Sequence, residues 1–385
     1  MKKRIYLKPS SSVTMIISCI IVLFSYFITV NYGAFLTDAV GKCALFSMPE
    51  GIYITIKDYR NRIFEKINMQ QSGTEYFQRE GSIIDFELKR QFRDLTVIPD
   101  DIKENEALLR DDFLKNYTLD GTVTEKTYIA YQATDSHKNV HVRNVTVDAD
   151  IDVEGILSNG CKLPVKDYTE PVVLIYHTHS TECYNPVDNS KFSTEYPERN
   201  EDIAVNVVRV GEEIAAVLRA RGIGVIHDTT VYDTVYTGAY DKSRTAVTEV
   251  LSRYPSVVIT LDVHRDAIHY DDTTRVKPVT EIDNIKAAQI MIISGAEGGN
   301  VESFPLWETN LSFALNLMQK VNTEYENLMK PVYFCNRRYN MDLTPYSLLV
   351  EVGTDMNTLS EAAYSGRLLG DVLAEFIKEN VKTNE

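Results

Sequence analysis

Residues 176–184 read YHTHSTECY and follow directly on the apolar run VVLI. Imidazole and carboxylate are ligands for divalent ions, and alternate side chains of an extended chain point to one side, so His177 and His179 could face a single ion, with Glu182 close behind. Taken alone, the stretch reads equally well as a polar turn rich in histidine. Two more apolar runs end in the same manner. VVITLDVHRDA (257–267) supplies Asp262, His264, Arg265 and Asp266, and YSLLVEVGT (346–354) sets Glu351 among apolar neighbours, where an unpaired carboxylate is costly. Two histidines and a carboxylate that leave one position open suit a catalytic zinc, which polarises a carbonyl and brings the pKa of a bound water to about 7. A further carboxylate would then act as general base. The chemistry in view is hydrolysis.

Other candidate residues carry less. The five cysteines, at 19, 43, 161, 183 and 335, form no CxxC pair and imply no disulfide framework, and Cys183 reads as small filler beside the histidines. His137 and His141 have the spacing of a helical metal pair, but TDSHKNVHVRN does not read as a helix, so they are surface histidines. GAEGGN (295–300) lacks the lysine and hydroxyl of a phosphate loop and reads as a flexible loop.

The elements that must position these residues alternate between short β-branched runs and amphipathic segments. In IAVNVVRVGEEIAAVLRARG the apolar positions Ile203, Val207, Val210, Ile214 and Leu218 step by three or four, with Gly222 placed to end the helix before the strand IGVIH. TAVTEVLSRYP leads to SVVITLDVHRD, AAQIMIISG is a third apolar run, and NLSFALNLMQKVNTEY leads through PVYF to YSLLVEVG and a closing helix from Leu359. Such alternation predicts an α/β fold with a mainly parallel sheet flanked by helices on both faces. Active sites of these folds lie beyond the carboxyl ends of the strands, where the histidines and acids stand.

The N-terminus is of another kind. MKKRIYLKPSSS holds Lys2, Lys3, Arg4 and Lys8, and the stretch from Val13 to Leu36 has no charge at all. A bilayer needs roughly 20 such residues in a helix, more than the apolar region of a signal peptide. The positive-inside rule then predicts a cytoplasmic segment 1–12, an uncleaved transmembrane anchor 13–36 and a body outside the membrane. Residues 37–165 read as a smaller α+β region for partner binding or as a stalk, and 166–385 as the catalytic domain. Without residues 1–36 the chain keeps 36 basic against 55 acidic residues, a net charge of −19, which should repel nucleic acid.

LIYHTHSTECYNP, GIGVIHDTTVYD, GAYDKSR, ITLDVHRDA, PLWETNLSFALNL and YNMDLTPYSLLVEVGTDMNTLSEA resemble, in order, the stage II sporulation protein P family of endospore-forming bacteria. The resemblance implies a membrane-anchored peptidoglycan hydrolase related to zinc-dependent N-acetylmuramoyl-L-alanine amidases. Such an enzyme cuts the amide between muramic acid and the stem peptide, and the family is also credited with cleaving peptide cross-links. The implied partners are the septal glycan-cleaving protein, the membrane scaffold of the engulfment machine and a forespore membrane protein. The implied location is the space between mother-cell and forespore membranes.

By the same resemblance His179 is the first zinc ligand, His264 the second histidine and Glu351 the catalytic glutamate. The related amidases take their middle ligand from the start of the first long helix, where this chain offers Glu201 and Asp202. Glu182, already held beside His179, is the preferred ligand. His177 would support the metal site from behind, and Arg265 and Tyr184 would stand at its rim and face an acidic muropeptide. The rival expectation is a non-catalytic scaffold that binds septal peptidoglycan.

Overall fold

The runs named above become strands, all but the start of AAQIMIISG in one sheet, and the stretches between them supply more strand than their pattern suggested. The computed structural model describes residues 94–381, all within one compact unit, Phe86–Glu385. The anchor expected at 13–36 lies outside the described residues, among which no helix is long and apolar enough to cross a membrane. The described chain runs α1 (Asp100–Asn116), β1 (Gly121–Lys126), β2 (Asp135–His137), β3 (Val140–Asn144) and α2 (Val153–Asn159). It continues with β4 (Pro171–Tyr176), β5 (Lys191–Phe192), α3 (Val207–Ala220), β6 (Gly224–His227), α4 (Ala239–Arg253) and β7 (Ile259–Asp266). Then come β8 (His269–Asp271), β9 (Thr274–Ile282), β10 (Ile285–Ala288) and β11 (Ile290–Gly295). The last elements are α5 (Trp307–Glu324), β12 (Val332–Cys335), β13 (Ser347–Thr354) and α6 (Leu359–Asn380).

The larger sheet has the order β2-β3-β12-β11-β13-β7-β4-β6 and the smaller β10-β9-β1-β5, with β8 on β9. The expectation of a mainly parallel sheet is corrected, because the fold is α/β with mixed sheets. β3, β12 and β11 run parallel, as do β13, β7, β4 and β6, but β13 lies antiparallel to β11. The cause is the connection from β12 to β13, residues 336–346. A parallel return needs a long crossover such as a helix, and this segment contains none. The hairpin β9–β10 is also antiparallel, closed by Asp283 and Asn284 at φ 51° and 61°, the left-handed pair that a tight hairpin turn requires. The boundary expected between 165 and 166 falls inside the compact unit, since β1 pairs with β9 and β3 pairs with β12.

The two faces of the larger sheet differ. On the back face α3, α5 and α6 bury a continuous apolar core, with Val210, Ile214, Phe313, Leu369 and Val372 set against Ile175, Val263, Ile292 and Val350. α3 begins where the Asn206 side chain accepts from Val208 N at 2.9 Å, and α6 begins at a Thr358–Glu361 capping box. α3 and α6 pack closely, and a Cβ on Gly370 would meet the Ile214 carbonyl oxygen at 2.9 Å. On the front face α4 covers β4 through Val247, packed with Leu174 and Tyr176. Over β13, β11 and β12 the same face lines a groove of about 490 Å³.

Candidate active site

β13 and β7 are parallel neighbours, with Glu351 registered opposite His264. Registered partners share a face, and Asp262, two residues before His264, shares it as well. These side chains therefore rise together on the front. β4 ends at Tyr176, and the chain then turns. The turn is pinned by Asp262, whose carboxylate accepts from Thr178 N at 2.8 Å and Thr178 Oγ1 at 2.6 Å, and by Asp233, which accepts from Thr181 N at 3.0 Å. It carries His179 and Glu182 over the ends of β4 and β7.

His179 stacks on Tyr236 at 4.7 Å between centroids and meets His264 edge to face at 5.4 Å. Its Nδ1, 3.8 Å from Asp233 Oδ2, is buried without a hydrogen-bond partner. Asp233 is itself paired with Arg199. The His264 Nδ1 lies 3.3 Å from Glu182 Oε2, and its Nε2 lies 2.8 Å from Asp262 Oδ1 in an ion-pair contact without hydrogen-bond alignment. Burial works against charge on His264, but Asp262 and Glu182 together hold its pKa well above the ordinary range. Burial raises the Glu182 carboxyl, and the hydrogen bond and charge of His264, with Arg265, overcome that and bring it down to about 2. Glu351 is raised to about 8, first by burial and further by Asp266 and Glu182, against the opposing pull of His264. Its Oε2 is buried without a partner. The site thus joins an anionic carboxylate, two imidazoles and a carboxyl that exchanges its proton near neutral pH.

Of the residues singled out in the sequence, His179, Glu182, His264 and Glu351 are brought together. His177 is not. Because β4 ends at Tyr176, the alternation that would have aligned His177 with His179 stops there, and His177 points to the back of the sheet. There its Nδ1 donates to the Val263 carbonyl at 2.8 Å and its Nε2 meets His227 Nε2 at 2.9 Å, while His227 Nδ1 donates to Glu212 at 2.8 Å. Arg265 does not stand at the rim either. One residue on from His264, it turns to the opposite side, is buried, and gives its guanidinium to the carbonyls of Cys183 and Glu198 at 3.0 and 2.7 Å. Tyr184 is buried as well, its hydroxyl on Val352 O at 3.1 Å. Glu201 and Asp202 are exposed, and Asp202 accepts from Ala204 N. Burial pushes the Cys183 thiol up to about 12, so it stays protonated. Sequence reasoning missed Asp233, Arg199 and Tyr236, which come from loops with no periodic signal, and gave Asp262 no role.

Among the described residues, the three whose ligand atoms all lie within 4.8 Å of one another are Glu198, His269 and Asp355, rather than His179, Glu182 and His264. In that group Arg275 places guanidinium nitrogens 2.7 Å from both Glu198 and Asp355. The positive charge that an ion would supply is already present, and we read it as an ion-pair cluster. Beside the histidine pair the nearest guanidinium is that of Arg199, whose Nη2 lies 3.8 Å from Glu182 Oε1 and whose Nη1 is taken by Asp233. The pair's orphaned Nδ1 and the anionic carboxylate form a donor set that fits zinc.

A model of the stage II sporulation protein P family matches residues 72–374. The stage II sporulation protein P of Bacillus subtilis (strain 168) is 30% identical over 240 residues, which is 59% of this chain and 56% of that protein. The match therefore spans little more than half of that relative's length. Among solved structures, similarity extends to the N-acetylmuramoyl-L-alanine amidase AmiC2 of Nostoc punctiforme, with 12% identity, 54% of this chain, 96% of that chain and a TM-score of 0.32. It extends also to the CwlD amidase from Clostridioides difficile in complex with the GerS lipoprotein, with 11% identity, 54% of this chain, 99% of that chain and a TM-score of 0.34.

Proposed function

The chain belongs to the stage II sporulation protein P family, and from that premise we propose that it is a zinc-dependent peptidoglycan amidase of the sporulation septum. The observation that supports this most directly is the meeting of His179, Glu182, His264 and Glu351 at one edge of the sheet, with Glu351 Oε2 buried and unpartnered. His179, Glu182 and His264 would hold the zinc, which when bound polarises the scissile amide carbonyl and acidifies the attacking water. Asp262 keeps the His264 ring oriented with Nδ1 toward Glu182. Glu351 takes a proton from the attacking water and returns it to the departing amine, a role suited to a carboxyl that titrates at about 8. The bond broken is the amide between N-acetylmuramic acid and the stem peptide. On the same reading residues 13–36 anchor the chain, the compact unit works between the mother-cell and forespore membranes, and its partners are the other septal engulfment proteins.

Mass spectrometry of products from purified peptidoglycan, treated with the zinc-loaded full chain and its His264→Ala and Glu351→Ala variants, tests the proposal. Free stem peptides that vanish in both variants uphold it. Shortened peptides still attached to glycan would mark a cross-link endopeptidase instead. Unchanged peptidoglycan in every sample, septal partners included, would replace the enzyme with a scaffold.

A further inference from the structure

We propose that the groove on the front of the larger sheet binds an extended acidic peptide of about four or five residues, the stem peptide of peptidoglycan, with Arg143 receiving its terminal carboxylate. This rests on the amidase reading and assigns the substrate's far end. The groove starts at Glu351 and continues past Met291, Ile293 and Tyr333 to Arg143, all of which line it. Register makes that row continuous: Met291 pairs with Glu351, Ile293 with Tyr333, and Tyr333 with Arg143. Three interstrand steps of about 4.8 Å and a two-residue shift of about 7 Å along β11 put Arg143 about 16 Å from Glu351. An extended chain gains about 3.4 Å per residue and covers that distance in four or five residues.

Charge points to the same occupant. Lys330, which also lines the groove, is paired with Asp266 at 2.8 Å. Arg143 instead lies over the Tyr333 ring, 5.5 Å from its centroid. A guanidinium stacked in this way keeps the donors at its edge in position for a two-pronged contact with a carboxylate. Tyr128 and Tyr131, 4.8 Å apart, form an amphipathic wall suited to a peptide with small apolar side chains. A neutral glycan would leave the guanidinium without a partner.

The test compares two muropeptides that differ only in a terminal carboxylate or carboxamide, as substrates of the zinc-loaded full chain and of Arg143→Gln. The wild type should show a KM at least about tenfold lower for the acid. Arg143→Gln should erase the difference by raising KM for the acid, with a much smaller change in kcat. A wild type that does not discriminate, or an Arg143→Gln chain that still does, overturns the assignment. If the wild type, septal partners included, cleaves neither muropeptide nor intact peptidoglycan, the amidase reading fails by itself. Calorimetry of the free tetrapeptide on full-length Glu351→Gln then decides the groove separately. Tighter binding of the acid that disappears on adding Arg143→Gln upholds it, and equal or absent binding, or displacement by a neutral chitin oligosaccharide, overturns it.

Discussion

Glu351 is held at about 8 against an ordinary 4.5, so the folded chain keeps a proton that the unfolded chain releases between those values. The contribution of Glu351 to stability therefore falls as pH rises from about 4.5 to about 8 and stays low above it. Glu351→Gln should abolish hydrolysis yet raise the melting temperature of the metal-free protein at pH 9, by several degrees for roughly 2–4 kcal/mol, with little effect at pH 4. Equal melting curves at pH 9 would contradict the burial argument. Asp262→Asn should leave the circular dichroism spectrum intact while weakening zinc binding about 10–100-fold in chelator competition, because the imidazole loses its anionic support. The four residues that meet at the site were legible because each follows, or lies within, an apolar run at a strand's carboxyl end. Those misplaced failed for a local reason. His177 required the strand to continue past Tyr176, and Arg265 follows His264 in a strand where successive side chains face opposite sides.

The helices and strands that bear the site were legible from period and punctuation, and what escaped was pairing. The run SLLVEVGT announces a strand but says nothing of direction, which the helix-free link from β12 decides. The β9–β10 hairpin escaped because its turn is Asp283-Asn284 rather than a glycine pair. Among the elements, α6 packs closely against α3. Gly370→Val would drive a side chain against the Ile214 carbonyl, which is fixed in the α3 backbone, and should lower stability by about 2 kcal/mol or more, read as a fall in melting temperature. Val210→Ala, a cavity in the same core, should cost a similar amount without any clash.

At the scale of the molecule, β1 to β3 are working parts of the sheets. A chain of residues 86–385 should melt in one cooperative transition, whereas residues 166–385 would leave the edges of β9 and β12 open and should associate, as size-exclusion chromatography would show. The same pairings set an order of events during synthesis. Thr122 finds its partner at Thr274, and Val142 finds its own at Val332. β3 meets β2 at once and β1 can meet β5 about 70 residues later, but their other edges wait for about 150 further residues at β1 and 190 at β3, roughly ten to forty seconds for the longer gap at ordinary synthesis rates. During that interval the nascent chain holds open edges with nothing to close them, and it is β9 and β12, once made, that close the edges of β1 and β3.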